Sequence, residues 1–537
     1  MAKSKPTIND FRKRAGQLVD IDDMHPLPLP PPFDKPGSEP QIKPLPEDGR
    51  RKIETDLDGV SAVRFARPET VDQKRELVGK FFSGLAKLFD PRSNWTFLEP
   101  LFLTMEYCVR CQTCSAACPI FIESGKQEIY RPSFRAEILR RLYRKYVKRG
   151  RTLPDNLTEK EIDAAWTMIA RLMESSYRCT ICRRCAQACP IGADNGLVTR
   201  ELRKIFSQEM GIAPRALHQD GSVQQLEIGS STGMPPAAFR DNVSFLEDEV
   251  ADRTGMQFHW PIDKQGAEIL LIHNAGEYLA WPENPMAFAI ILEKAGIDYT
   301  LSSELAAYDA VNYGVWYDDI QFARVAVRHA EIARRLGVKK IVIGECGHAH
   351  KALMVIADRI LTGDLNIPRE SYLTLLRDIV LSSRLPLDPS RNDDITVTLH
   401  DPCNMVRLMG IVQPQREILK AVCNNFREMT PHGVDNFCCG GGSGFAIMQD
   451  GNFPDWRHVV SSRAKMRQIL NVFQDIIGPE HKKYVCAPCS NCKGAIRDMF
   501  AAYRLFETSN ILYGGLVELI VNAMTDIEKP FIDWQWH

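Results

Sequence analysis

The chemistry of this sequence is carried by sulfur. Two cysteine runs stand out, Cys108-x-x-Cys111-x-x-Cys114-x-x-x-Cys118-Pro119 and Cys179-x-x-Cys182-x-x-Cys185-x-x-x-Cys189-Pro190. Three thiolates at three-residue intervals can hold three irons of one cubane, while the fourth, next to proline, points away and ligates the other cluster. The spacing therefore predicts two [4Fe–4S] clusters with crossed ligation. One uses Cys108, Cys111, Cys114 and Cys189; the other uses Cys179, Cys182, Cys185 and Cys118. Zinc prefers four thiolates as two C-x-x-C pairs, and two complete four-cysteine runs count against it. Crossing forces the two clusters together and makes an electron relay.

Eight further cysteines lie downstream: Cys346, Cys403, Cys423, Cys438, Cys439, Cys486, Cys489 and Cys492. Cys403 ends a strand pattern in His400-Asp401-Pro402-Cys403, and Cys486-Ala-Pro-Cys489-Ser-Asn-Cys492 ends another. In α/β sheets ligands collect at strand ends. Cys438-Cys439 opens a glycine run, CCGGGSG, that permits close backbone approach. Adjacent cysteines serve one tetrahedral ion poorly but can bind neighbouring irons of a larger cluster. The glycine run lacks the G-x-G-x-x-G strand–turn–helix setting of a dinucleotide site. Cys423, expected mid-helix, reads as a packing thiol. Histidines His348, His350 and His400 are candidates to supply the proton that thiolate release requires.

The elements that must position these residues fall into two kinds. Val71–Phe89, Ser133–Lys148, Glu159–Ser175 and Leu197–Glu209 have helical periodicity, so a helical domain, residues 61–210, surrounds the two runs. The arginine-rich helix Ser133–Lys148 reads as a solvated face, with a docking patch for an acidic partner as the alternative. Residues 211–265, rich in Gly, Pro, Ser and Gln, read as a linker. From residue 266 short strands (Ile269–Ile272, Lys340–Ile343, Thr396–Leu399, Tyr484–Cys486) alternate with helices (Met286–Ala295, Ile320–Leu336, Arg416–Asn424), the α/β signature. This part is duplicated, with halves at about 266–390 and 391–537. KKIVIGECGHAHKAL aligns on KKYVCAPCSNCKGAI, pairing Cys346 with Cys489. LLIHNAG aligns on VTLHDPC, pairing His273 with His400 and Gly276 with Cys403, and Asn312-Tyr313-Gly314 matches Asn436-Phe437-Cys438. If the halves pack about a pseudo-twofold axis, the Cys346 loop faces the cysteine loops of the second half. The fold class expected is α plus α/β. Residues 1–60, with Pro-Leu-Pro-Leu-Pro-Pro-Pro, read as an extended arm, either a disordered tail or a segment laid on a partner subunit.

Bulk properties exclude some functions. Lys plus Arg number 67 against 68 Asp plus Glu, net charge −1, which gives no general attraction to nucleic acid or anionic membrane. The N-terminus lacks a signal-peptide pattern, and the best apolar run, Ile511–Met524, is too short to span a bilayer. Sixteen cysteines in such a chain point to metal in a reducing cytoplasm.

The elements HDPC, CCG and C-x-x-C resemble the cysteine-rich CCG domain of heterodisulfide reductases. With the two-cluster helical domain before it, the chain resembles heterodisulfide reductase D-type subunits. GECGHAHK, APCSNC and the proline-rich N-terminus resemble the DsrK group, from the sulfite-reduction-associated membrane complex DsrMKJOP. The resemblance implies a third, special iron–sulfur cluster on Cys403, Cys438, Cys439, Cys489 and Cys492, its cubane or non-cubane geometry open. The duplication makes Cys346 an extra ligand, a lining of the substrate opening or a retained core thiol. The resemblance further implies a peripheral subunit on the cytoplasmic face of the membrane, partnered by a haem-bearing membrane subunit linked to quinone and by other subunits of the complex. It implies reduction of a disulfide or trisulfide on a small DsrC-like protein. Similar CCG subunits relay electrons in glycolate, lactate and glycerol-3-phosphate dehydrogenases, and a non-catalytic electron-transfer module is the third reading.

Overall fold

A computed structural model describes residues 27–41, 68–154, 156–452 and 455–534. Most of the N-terminal arm lies outside the described residues. The chain forms two compact units. Among the described residues the first comprises 27–28, 36–41, 68–154, 156–214, 447–452 and 455–463, and the second 29–35, 215–446 and 464–534.

The first unit is helical. Its elements are α1 (Val71–Leu88), α2 (Leu98–Tyr107), α3 (Pro132–Leu142), α4 (Glu159–Tyr177) and α5 (Asn195–Lys204). Two helices begin with the S/T-x-x-E/Q signature read out in full: Thr70 with Gln73 at α1 and Thr158 with Glu161 at α4 each satisfy two otherwise orphaned N–H groups. α1 packs on α4, and its Val78, Phe81 and Leu85 are fully buried; such side chains contribute roughly 1.5–3 kcal/mol each. The basic segment is α3 followed by one wider helical turn, Tyr143–Lys148. Its solvated reading holds for Arg141 but fails for Arg135 and Arg140, which are buried. Arg140 Nε donates to the Met105 carbonyl (3.1 Å) and Arg135 Nε to Thr199 Oγ1 (3.2 Å), so these two cations are interior struts. Residues 447–463 return to this unit, and Trp456 stacks against Tyr130 and the Arg178 guanidinium.

The second unit holds two four-stranded parallel sheets. Strands β1 (Ile269–Ile272), β2 (Tyr299–Thr300), β3 (Lys340–Ile343) and β4 (Arg369–Ser371) run in the order β2-β1-β3-β4. Strands β5 (Ile395–Leu399), β6 (Phe426–Arg427), β7 (Lys482–Cys486) and β8 (Ile511–Gly514) run in the order β6-β5-β7-β8. The two orders are the same, and the matched motifs sit on equivalent strands, β1 with β5 and β3 with β7. The stretch expected as a linker contains α6 (Pro236–Thr254), opened by proline at its first turn and closed by Gly255. Phe239, Val243, Leu246 and Val250 lie four, three and four apart and enter the main core. The Gly/Pro/Ser-rich residues just before α6 hid this helix from a reading by composition. Helices α7 (Glu283–Lys294), α8 (Asp319–Leu336), α9 (Pro414–Val422), α10 (Arg463–Val472), α11 (Ser490–Tyr503) and α12 (Leu516–Asn522) cover the sheets. Cys423 is not mid-helix: it caps α9 with extended backbone and is buried in the core, where burial raises its thiol to about 12. From the arm, Leu29 is buried, and Phe33 meets Tyr503 edge-on at 5.1 Å, so this part packs on its own chain. Among the described residues no helix is long and apolar enough to cross a membrane.

Candidate functional site

In the first unit the two cysteine runs adopt the same local geometry. Each forms a loop with two left-handed non-glycine residues at equivalent places, Arg110 and Gln112 around Cys111, Ile181 and Arg183 around Cys182. Such backbone costs of order 1–3 kcal/mol per residue and persists where the surroundings demand it. Here it turns three sulfurs toward one point. Cys108, Cys111 and Cys114 line one cavity with Cys189; Cys179, Cys182 and Cys185 line a second with Cys118. The cavities are the same size, ≈ 20 Å³ each. Pro119 and Pro190 follow the crossing cysteines, and Pro119 starts a short helix that carries Cys118 away from its own run. None of the sixteen cysteines is in a disulfide.

The donor set fits a metal–sulfide core. Burial raises the Cys118 thiol to about 12 and pushes Cys185 well above the ordinary thiol range, with Asp194 and neighbouring sulfurs adding to it. Buried thiolates of this kind need a cationic centre to be stable. The two environments differ. Cys111 is exposed, whereas the second cavity is walled by the buried Arg135, and the buried Arg203 donates to the Cys179 carbonyl at 2.8 Å.

In the second unit, β5 and β7 end side by side, since Leu399 pairs with Cys486. Beyond these ends Cys438, Cys439, Cys489 and Cys492 are buried, with hydrogen-bonding contact from Cys438 to Cys439, Cys439 to Cys492 and Cys492 to Cys489. This chain of four sulfurs splits the titration: contacts from Cys438 and Cys492, with His400, hold Cys439 well below the ordinary thiol range, and Cys492 is pushed well above it. A ring nitrogen of His400 lies within 4.8 Å of the Cys439 and Cys492 sulfurs, and the ring contacts Cys439. A buried imidazole beside four converging thiols fits a metal–sulfur group. Cys403 starts a short helix, Cys403–Leu408, at the end of β5 and is half-buried. Cys486 points into the apolar core from β7.

The loops are held by named struts. Arg416 grips Asp401 with two parallel bonds (2.8 and 2.7 Å), and Gly433 N adds a third (2.6 Å). Burial would raise the Asp401 carboxyl, but Arg416 holds it below the usual range. Asn436 Nδ2 donates to the Asp401 carbonyl (3.0 Å), which ties the Cys438 loop to the Cys403 loop. Asn436 Oδ1 in turn accepts from Lys465 Nζ (2.7 Å) on α10. Burial pulls the Lys465 ammonium down to about 7 against the attraction of Asp401 and the sulfurs. Sequence reasoning misses Lys465, because nothing in its neighbourhood along the chain marks it.

The Cys346 loop faces the sulfur loops. Gly347 N donates to Cys489 Sγ (3.1 Å), and Ser490 N donates to the Glu345 carbonyl (2.6 Å), a reciprocal exchange between equivalent loops. Burial, and Cys489 beside it, push the Cys346 thiol up to about 12. His348 Nε2 accepts from Asn312 N (3.2 Å), so its proton sits on Nδ1, 3.3 Å from Cys346 Sγ. His350 Nδ1 donates to the Cys346 carbonyl (2.8 Å) and Nε2 accepts from Ser371 (2.9 Å). Burial lowers His348 to about 3 and His350 to about 4, and lowers His400 too. Burial thus favours the neutral form of these rings, and neutral His348 still presents its Nδ1 proton to Cys346.

Residues 104–193 match the 4Fe-4S dicluster domain family, and residues 397–497 match the cysteine-rich CCG domain family. The chain carries iron–sulfur cluster-binding domains of two kinds. The "Hdr-like menaquinol oxidoreductase iron-sulfur subunit 2" of Archaeoglobus fulgidus is 28% identical over 382 residues, 64% of this chain and 68% of that one. The D-type subunit of the dihydromethanophenazine:CoB--CoM heterodisulfide reductase of Methanosarcina barkeri is 23% identical over 432 residues, 79% of this chain and 94% of that one. The chain is thus similar to heterodisulfide reductase D-type iron–sulfur subunits. The "EtfAB:quinone oxidoreductase" of Syntrophomonas wolfei is 21% identical over 360 residues, 65% of this chain and 47% of that one.

Proposed function

We propose that this chain is the sulfur-reducing iron–sulfur subunit of a membrane-associated redox complex of the DsrK type, on the cytoplasmic face. Cys108, Cys111, Cys114 and Cys189 hold one [4Fe–4S] cluster; Cys179, Cys182, Cys185 and Cys118 hold the second. Cys403, Cys438, Cys439, Cys489 and Cys492 hold a third, special cluster. Electrons arrive from the quinone pool through a haem-bearing membrane subunit. The substrate is a disulfide or trisulfide on a small DsrC-like protein. One observation carries this reading: four buried sulfurs with a buried imidazole beside them, opposed by a fifth thiol, Cys346, that a neutral histidine holds in place. A plain electron relay has no use for the fifth thiol.

When bound, the third cluster supplies single electrons and a binding position for sulfur. The protein's own residues do the rest. Arg416 and Asp401 fix the loop that presents Cys403, and Lys465 offsets negative charge among the sulfurs. His348 donates from Nδ1 toward Cys346, so the Cys346 sulfur keeps one orientation. Cleavage of R–S–S–R′ takes two electrons and two protons and yields RSH and R′SH.

The test is spectroscopic. The reconstituted protein is oxidised with and without thiol substrate, and the paramagnetic signals are recorded. A signal that appears only with thiol supports direct cluster–sulfur chemistry. Its absence with every thiol tried would sink the reading. The likeness to an EtfAB:quinone oxidoreductase favours a second reading, a relay between a flavoprotein and quinone, and the same absence would support it.

A further inference from the structure

Four ionisable side chains are buried together in the second unit, and nothing above uses them. Glu277, Glu345, Glu518 and Lys493 are all at or near zero exposure. Lys493 Nζ lies 3.3 Å from Glu345 Oε2, 3.7 Å from Glu277 Oε1 and 4.0 Å from Glu518 Oε1. Three carboxylates therefore share one ammonium. Glu345 is tied down further by Asn284 Nδ2 (2.6 Å) and Leu516 N (2.7 Å). Gly515 permits the approach, because a Cβ there would meet Glu345 Oε2 at 2.2 Å and Glu518 Oε2 at 2.3 Å. Glu277 Oε1 and Glu518 Oε2 are buried without a hydrogen-bond partner.

The cluster has two ends. Glu518 also lines a cavity of ≈ 520 Å³ walled by Trp281, Phe500 and Tyr513. At the other end Glu277 Oε2 accepts from Asn274 N (3.3 Å). Asn274 Nδ2 donates to Ser490 Oγ (3.0 Å) and lies 3.6 Å from Cys346 Sγ. Glu345 is the residue before Cys346.

The geometry points to a proton-uptake route for sulfur reduction: protons enter from the cavity at Glu518, are held by Glu518 and Glu345 beside the fixed charge of Lys493, and reach the Cys346–Cys489 edge past Glu277. It rests on the sulfur-reducing reading above. Each disulfide broken takes two electrons from the reduced iron–sulfur centres and two protons, one on each departing sulfur. Burial favours the neutral form of the nearby histidines. Burial, opposed by Lys493 and reinforced by the other two carboxylates, raises Glu345 to about 8, and burial raises Glu518 as well, so the cluster holds a proton at neutral pH. The other groups facing it are His273, whose Nδ1 is 3.7 Å from Glu277 Oε2, and Tyr372, Tyr484, Cys486 and Glu283. Burial keeps the two phenols and the thiol protonated.

The test uses the reconstituted full chain. Three quantities are followed across neutral pH: the infrared C=O band of buried carboxylic acid, proton uptake during reduction with dithionite (by indicator dye), and turnover of glutathione disulfide. Wild type should show the band and take up protons. Glu518→Gln should remove or shift the band, slow proton uptake and turnover at least about tenfold, and change the pH profile. Its iron–sulfur spectra should stay as they are, and Glu518→Asp should restore the rates. Where Glu518→Gln does not fold, Ala501→Trp, on the exposed cavity rim, should slow proton uptake in the same way. Unchanged band, uptake and pH profile in Glu518→Gln overturn the route. If wild type turns over no disulfide yet Glu518→Gln still abolishes rapid proton uptake, the sulfur-reducing reading falls and the uptake route stands.

Discussion

The two halves of the second unit have the same strand order and opposite contents. At the end of β5 stands His400-Asp401-Pro402-Cys403; at the end of β1 stands His273-Asn274-Ala275-Gly276. Where the second half has Cys438, the first has Gly314, and a Cβ on Gly314 would meet the backbone N of Phe322 on α8 at 2.2 Å. The first half has no room for a cysteine there. Its equivalent space is filled by a ring stack, Tyr313 on Trp316 at 5.2 Å and His348 on Trp316 at 4.6 Å. Only Cys346 keeps its place, and it faces Cys489 across the reciprocal loop contact. Duplication thus produced one sulfur-lined site and one aromatic wall that presents a single thiol to it.

The sharpest break of that contrast is Cys439→Ser. It should abolish the third iron–sulfur signal while both [4Fe–4S] signals remain, as followed by paramagnetic resonance and iron content; Cys423→Ser should leave all three. Arg416→Met comes next. It strands the buried Asp401 carboxylate, and breaking such a pair costs about 3–5 kcal/mol, to be read as a lower denaturant midpoint. An unchanged midpoint would mean that the strut is idle. Gly314→Cys asks whether the first half can be converted. Collision with the α8 backbone should destabilise by about 1–3 kcal/mol without adding iron. A fourth signal from this variant would show that the aromatic wall yields. The smallest effect is pH-dependent. Asp401 is depressed in the folded state, so its contribution is complete above the unfolded carboxyl value of about 3.9 and is lost as pH falls through the folded one. Asn274, its counterpart, does not titrate. Denaturant midpoints should therefore fall less in Asp401→Asn than in wild type as pH drops below about 4, after allowance for its lower starting stability.

Much of the fold was legible because periodicity is local. The strands carrying His273, Cys346, His400 and Cys489 and the helices of the first unit follow from apolar spacing and capping residues. The two- and three-residue edge strands β2, β4 and β6 were not legible, because so short a pattern has no period. α6 was hidden by the Gly/Pro-rich stretch before it. Arg135 and Arg140 read as surface cations and Lys465 drew no reading at all, and only packing shows the three buried.

The amino-acid sequence by itself determined which sulfurs are available and in what rhythm, since the i, i+3, i+6 spacing and the following proline are properties of the chain. It also determined the duplication and the pairing of Cys346 with Cys489. Only the tertiary structure decided that Gly314 excludes a second sulfur site and that three carboxylates meet one lysine at Gly515. Those outcomes depend on which backbone comes within a few ångströms of another and how far water is excluded, and neither is encoded in any single segment.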